Sequence, residues 1–247
     1  MRSLSLLLLL ALLSTGCDSG SGSGADEGLL EITDLSPGNG DLVSFGQTLK
    51  VSYEGRLEDG TIFDSTEERG RSWYFTMVEG QVIEGWLDGL VGMEVEGTRR
   101  LVIPPHLAFG REGRCLSDGT CPVPPNSTVI YEITVEAVLD DVDIEVVTEG
   151  VGVSADVGRL VAVSYIGTFV DGRVFDSTEF SGQPFVFRLG SGQVISGWDR
   201  GILGMKEGAI RNLVIPPDLA YGATGVPGSI PPYTTLLFRV EMIQVDN

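Results

Sequence analysis

The sequence predicts an α+β fold in two copies, each a bent antiparallel sheet wrapped around one short helix. Three observations carry this expectation. Gly80-Gln81-Val82-Ile83-Glu84-Gly85-Trp86 recurs as Gly192-Gln193-Val194-Ile195-Ser196-Gly197-Trp198, an internal repeat of domain length. Around each copy, extended runs outnumber helical spacing by about five to one. A chain of 247 residues gives each half room for its own core.

Aligning the halves gives one constant offset. Tyr53 pairs with Tyr165, Phe63 with Phe175, Asp64 with Asp176, Trp86 with Trp198 and Pro104 with Pro216, each 112 apart. Pro124 then pairs with Pro231, 107 apart, so the first repeat carries five extra residues between Pro105 and Pro124.

Each repeat opens on apolar-polar alternation, Leu49 to Tyr53 and Leu160 to Tyr165, which reads as a strand. Asp59-Gly60 and Asp171-Gly172 supply turn chemistry before a second extended run to Phe63 or Phe175. Tyr74 to Val78 and Phe185 to Leu189 read as a further strand. Helical spacing follows the repeated motif, through Trp86, Leu87, Leu90 and Val91 and through Trp198, Ile202 and Met205; it places each tryptophan on the buried face. Arg100 to Ile103 and Asn212 to Ile215 are strands stopped by Pro-Pro, and Val129 to Val138 and Leu236 to Val245 are the last strands. The predicted domains are 28–140 and 141–247, joined by the acidic Leu139-Asp140-Asp141.

The formal net charge is -19 with only two lysines, Lys50 and Lys206, which excludes a nucleic-acid footprint built on basic clusters. Gly-rich stretches lack a P-loop lysine, which sets aside nucleotide binding. The sole histidine, His106, has no counterpart in the second repeat and reads as a surface loop residue. Asn126-Ser127-Thr128 fits a glycosylation sequon, a reading that a bacterial export signal argues against.

That signal is the N-terminus. Arg2 followed by the apolar Leu4 to Leu13 suits a signal h-region and falls short of the ~20 apolar residues of a spanning helix. Leu13-Ser14-Thr15-Gly16-Cys17 resembles a bacterial lipobox, with Ser14 where leucine is usual. Residues 1–16 are therefore expected to be removed, Cys17 to be lipidated, and the Gly/Ser-rich stretch to 27 to tether the protein to the extracytoplasmic side of a bacterial membrane. Cysteine parity agrees. Cys115 and Cys121 are separated by five intervening residues in a Gly- and Pro-containing loop, where a secreted chain would oxidise them, leaving Cys17 as the odd one of three.

Tyr53-Glu54-Gly55, Phe63-Asp64-Ser65, the Val-Ile-x-Gly-Trp motif, Ile103-Pro104-Pro105 and Tyr221-Gly222-Ala223-Thr224-Gly225 stand in order at fixed spacing, nearly all of them twice. This ordered set resembles the FKBP-type (tacrolimus-binding) peptidyl-prolyl isomerases over roughly 220 residues. The resemblance implies an apolar pocket between helix, sheet and loops, which needs no cofactor or metal and takes proline-containing polypeptides or macrolides of the tacrolimus class. In the second repeat it implies Trp198 as floor, Tyr165, Phe175, Phe185, Val194, Ile195 and Phe238 as walls, and Asp176, Tyr221 and Ile230 as rim. The backbone N–H of Ile195 and the Tyr221 hydroxyl are the implied donors to the ligand. Val226 departs from the family's frequent histidine.

In the first repeat Tyr53, Phe63, Asp64, Phe75, Val82, Ile83, Trp86, Val123 and Tyr131 match the pattern, while Trp73 replaces a phenylalanine and Phe109 replaces the tyrosine. The lost hydroxyl removes a hydrogen bond of about 0.5 to 1.5 kcal/mol. The second domain is therefore expected to be the main catalyst, with peptide binding alone as the rival role for the first.

Overall fold

A computed structural model describes residues 28–246. The signal segment, Cys17 and the tether lie outside the described residues.

In the first repeat the chain runs through β1 (Glu31–Ser36), β2 (Thr48–Leu57), β3 (Ile62–Ser65), α1 (Thr66–Arg69), β4 (Trp73–Thr76), α2 (Glu84–Leu90), β5 (Thr98–Ile103) and β6 (Val129–Val138). The second repeat supplies β7 (Asp143–Thr148), β8 (Val151–Ser154), β9 (Leu160–Phe169), β10 (Val174–Ser177), α3 (Thr178–Ser181), β11 (Phe185–Arg188), α4 (Ser196–Ile202), β12 (Lys206–Glu207), β13 (Ile210–Ile215) and β14 (Leu236–Val245). Each repeat builds a six-stranded antiparallel sheet, ordered β1-β5-β6-β2-β3 with β4 also on β2, and β7-β13-β14-β9-β10 with β11 also on β9. The architecture is the α+β pair that the repeat predicts.

The last strands run over Val129–Val138 and Leu236–Val245, the spans expected from the sequence. Two elements per sheet differ from the expectation of about five strands and one helix. β1 is exposed along its whole length and β7 along nearly all of it. A strand with neither face in the core has no need for apolar alternation, so its pattern is silent. The one-turn helices α1 and α3 are likewise too short for a period; Ser65 and Ser177 cap them and Gly70 and Gly182 end them in the left-handed conformation.

The motif glycines are explained by packing. A Cβ on Gly85 would sit 2.3 Å from Ile103 Cγ2, and one on Gly197 at 2.3 Å from Ile215 Cγ2. The helix therefore lies flush on the strand that ends in Pro-Pro, and the Gly-Trp pair works as a unit: the glycine lets the helix descend and the tryptophan fills the space under the sheet. Two cores result, one around Trp86, Leu90, Leu101 and Ile133, the other around Trp198, Ile202, Leu213 and Val240.

The repeats touch through polar contacts. Lys50 Nζ and the Tyr74 hydroxyl both donate to Asp143 Oδ2, at 3.0 and 3.2 Å. Arg71 Nη2 donates to the Val170 carbonyl at 2.7 Å and Gln81 Nε2 to the Pro232 carbonyl at 3.2 Å.

Candidate active site

In the second repeat, β9 presents Tyr165 toward α4, and the Thr178 hydroxyl on α3 locks it there. Thr178 Oγ1 accepts from Tyr165 N at 3.0 Å and donates to Tyr165 O at 3.3 Å. Two residues beyond Tyr165, a Cβ on Gly167 would come within 2.8 Å of Phe175 and 2.9 Å of Phe238. The Tyr-x-Gly motif thus sets one ring and clears space for two others.

Around Trp198 the rings meet edge to face: Tyr165 at 4.8 Å and 88°, Phe238 at 5.3 Å and 87°, Phe185 at 6.1 Å and 79°. Phe175 joins through Phe238 at 5.5 Å. These rings, with Val194, Ile195, Gln193, Asp176 and Tyr221, line an open cavity of about 220 Å³. A shallower groove of about 530 Å³ continues from it over Tyr165, Asp176 and Phe185 to Phe180. Such a cleft of apolar walls with a few polar groups suits a small apolar moiety such as a prolyl ring.

The Tyr165 hydroxyl donates to Asp176 Oδ2 at 2.6 Å, and Ser177 N donates to Oδ1 at 2.9 Å. Burial raises the Tyr165 phenol's pKa, and the bond to Asp176 raises it further. The half-exposed Tyr221 is raised by burial first and then by the Asp176 charge. Both stay neutral donors at physiological pH. The Tyr221 hydroxyl and the Ile195 N–H have no acceptor among the described residues, and the Trp198 indole N–H is buried without a partner.

Of the ten predicted second-repeat residues, nine line the cavity. Ile230 is buried in the same cluster as the lining residues Trp198 and Phe238, bridged to Val226 by backbone hydrogen bonds at 2.8 and 2.9 Å. Gln193, absent from the expected set, also lines the cavity; its Oε1 accepts from Arg188 N at 2.8 Å.

The first repeat keeps the cluster and changes its mouth. Trp86 meets Tyr53 at 5.1 Å and Tyr131 at 5.1 Å, and Phe63 meets Tyr131 at 5.5 Å and Phe109 at 6.2 Å. Val82 and Ile83 pack against this core, as does Trp73; Val123 is fully buried in it. Asp64, however, is gripped by two arginines. Arg69 reaches it through Nε at 3.0 Å and Nη2 at 2.8 Å, and Arg114 Nη1 through Oδ2 at 3.1 Å. Arg69 also lies over the Trp73 ring at 4.8 Å. Burial, with Asp64 nearby, pushes the Tyr53 phenol up to about 12.

Arg114 faces Val123 across a β-bridge as Val226 faces Ile230, which locates the extra residues between the two partners. Cys115 and Cys121 are disulfide-bonded in this loop. Neither arginine belonged to the expected site. Arg69 was within reach of the sequence, one helical turn beyond the Phe-Asp-Ser motif, whereas Arg114 is separated from Asp64 by fifty residues and carried no local signal.

Both repeats match one family model, described as FKBP-type peptidyl-prolyl cis-trans isomerase, over residues 40–136 and 152–243. The chain belongs to this family. It is 34% identical over 257 residues to Peptidyl-prolyl cis-trans isomerase FKBP10 of Mus musculus, covering all of this chain and 43% of that one. It is 35% identical over 205 residues to FKBP9 of Homo sapiens, covering 81% of this chain and 35% of that one. It therefore spans less than half the length of these mammalian relatives. FK506-binding protein 1 of Dictyostelium discoideum is 51% identical over 102 residues, 41% of this chain and 95% of that protein. Among solved structures, AtFKBP13 superposes with a TM-score of 0.43 at 35% identity, over 44% of this chain and 93% of that one.

Proposed function

We propose that this FKBP pair is a peptidyl-prolyl cis-trans isomerase acting on extracytoplasmic polypeptides, with the second domain as the main catalyst. The observation that carries this reading is the open aromatic cavity over Trp198, with the unengaged Tyr221 hydroxyl and Ile195 N–H at its edge.

Rotation about an X-Pro bond faces a barrier of about 18 to 20 kcal/mol because amide resonance must be broken. The planar imide is more charge-separated than the twisted one. A cavity that removes water therefore favours the twisted form, and donors placed for that form add differential binding. Bringing tens of seconds down to milliseconds requires roughly 4 to 6 kcal/mol, within reach of desolvation plus one or two hydrogen bonds. No proton transfer or covalent step is needed. A macrolide of the tacrolimus class would compete for the same cavity.

The extracytoplasmic assignment rests on the export signal and on the Cys115–Cys121 bond, which belongs in an oxidising compartment. In this reading Cys17 carries lipid and holds both domains, 28–140 and 141–247, to a bacterial membrane. Cys17→Ser is expected to release the protein into the soluble fraction and to abolish incorporation of labelled fatty acid.

In the full chain, Trp198→Leu is expected to remove most acceleration of X-Pro exchange and Trp86→Leu little of it. The reverse result would move catalysis to the first domain. No effect from either would overturn the reading. A second role, peptide binding without turnover, is favoured for the first domain by Phe109 and by the arginines on Asp64.

A further inference from the structure

The two pockets present opposite charge at equivalent positions. In the second domain Asp176 is exposed, and among the described residues it makes no ion pair; its side-chain donor is the neutral Tyr165. The positions matching Arg69 and Arg114 are Ser181 and Val226. In the first domain two guanidinium groups meet one carboxylate. Their exposures differ in the same sense: the Asp64 side chain is 14% exposed, Arg69 30% and Arg114 39%. What faces solvent there is the cationic part of the cluster.

The cluster adjoins the first domain's aromatic group: Asp64 follows Phe63, whose ring meets Tyr131 at 5.5 Å, and Arg69 lies over the Trp73 ring at 4.8 Å. Burial raises the pKa of the wall residue Tyr131, and the charges of Arg114 and Arg69 oppose that rise. Both arginines are held in place, Arg69 by its bonds to Asp64 and its stacking on Trp73, Arg114 by Asp64 and by a loop closed at its neighbour Cys115. A fixed guanidinium loses little side-chain freedom when it engages a further anion. The nearby Glu68 and Glu112 pair with neither arginine among the described residues.

We propose that the first pocket selects proline segments with a carboxylate side chain, glutamate or aspartate, next to the proline, that Arg69 and Arg114 read this carboxylate, and that the second pocket disfavours the same segments. The proposal rests on the family's use of these pockets for prolyl peptides. It does not require the first pocket to catalyse.

The test uses the full chain and its three tryptophans, Trp73, Trp86 and Trp198. Their indole N–H signals, assigned by single substitution, report each domain separately by NMR. Peptides blocked at both ends and differing only in Glu, Gln or Lys before proline are titrated, and cis/trans exchange is read on the same samples. The Trp86 signal is expected to follow the Glu peptide about three- to fivefold more tightly than the Gln peptide at low salt. Salt and Arg69→Gln/Arg114→Gln should each erase that preference. Trp198 should rank the peptides in the opposite order.

Equal affinities at Trp86, or a Glu preference that survives the double arginine substitution, would overturn the proposal. Absence of accelerated exchange with the binding order intact would remove the isomerase reading and leave the selection standing. Absence of any binding would remove both.

Discussion

Tyr165 donates its hydroxyl to Asp176 at 2.6 Å, joining the wall of the second pocket to its rim. In the first domain the matching carboxylate, Asp64, accepts instead from Arg69 and Arg114. One pocket motif thus supports two electrostatic settings, because the groups that complete the rim come from outside the motif.

Removing the Tyr165 hydroxyl tests that link. Tyr165→Phe leaves the ring against Trp198 and frees Asp176, so kcat/KM for an X-Pro peptide is expected to fall about three- to tenfold, as for the loss of about 1 kcal/mol. Thermal stability should change little. A wild-type rate in Tyr165→Phe would show that the Tyr165–Asp176 bond adds nothing to turnover.

Gly197→Ala is expected to destabilise the second domain by about 1 to 3 kcal/mol, since its Cβ would meet Ile215 Cγ2 at 2.3 Å. Ile215→Ala removes that methyl. Denaturant unfolding of the two single variants and the double should therefore show coupling, with the double less destabilised than the sum.

Reducing the disulfide, or Cys115→Ser with Cys121→Ser, is expected to cost the first domain about 2 kcal/mol by the loop-closure relation. The second domain's melting should stay where it was. A shift in both transitions would mean that the loop bears on the whole molecule.

Alkaline pH should weaken the first domain. Tyr53 titrates near 10 when unfolded and is pushed up to about 12 in the fold, chiefly by burial and then by Asp64. A raised phenol keeps its full contribution below pH 10, and that contribution is lost as pH rises through 12. Urea midpoints followed by the assigned Trp86 indole N–H signal between about pH 8 and 12 should fall above 10, and Tyr53→Phe should reduce that slope, leaving the part due to the likewise raised Tyr131.

Phe109→Tyr restores at the first pocket the phenol that Tyr221 supplies in the second. If a missing donor limits the first domain, exchange by a Trp198→Leu chain should rise up to about tenfold, as for one hydrogen bond. No gain would place the limit at the arginine cluster.

The sequence by itself determined the repeat, its register and the family. Local patterns sufficed because each motif records a local need: alternation for a sheet with one buried face, and glycine where the helix touches Ile103 or Ile215. It left β1 and β7 unread, since strands without a buried face leave no alternation, and α1 and α3 with them, since one turn shows no period. Tertiary structure alone decided the character of the two mouths. Asp64 and Arg114 are fifty residues apart, and only the fold, which pairs Arg114 with Val123 beside the sheet's aromatic group, brings them within 3.1 Å. The charge a pocket shows depends on distances of a few ångströms, which spacing along the chain does not encode.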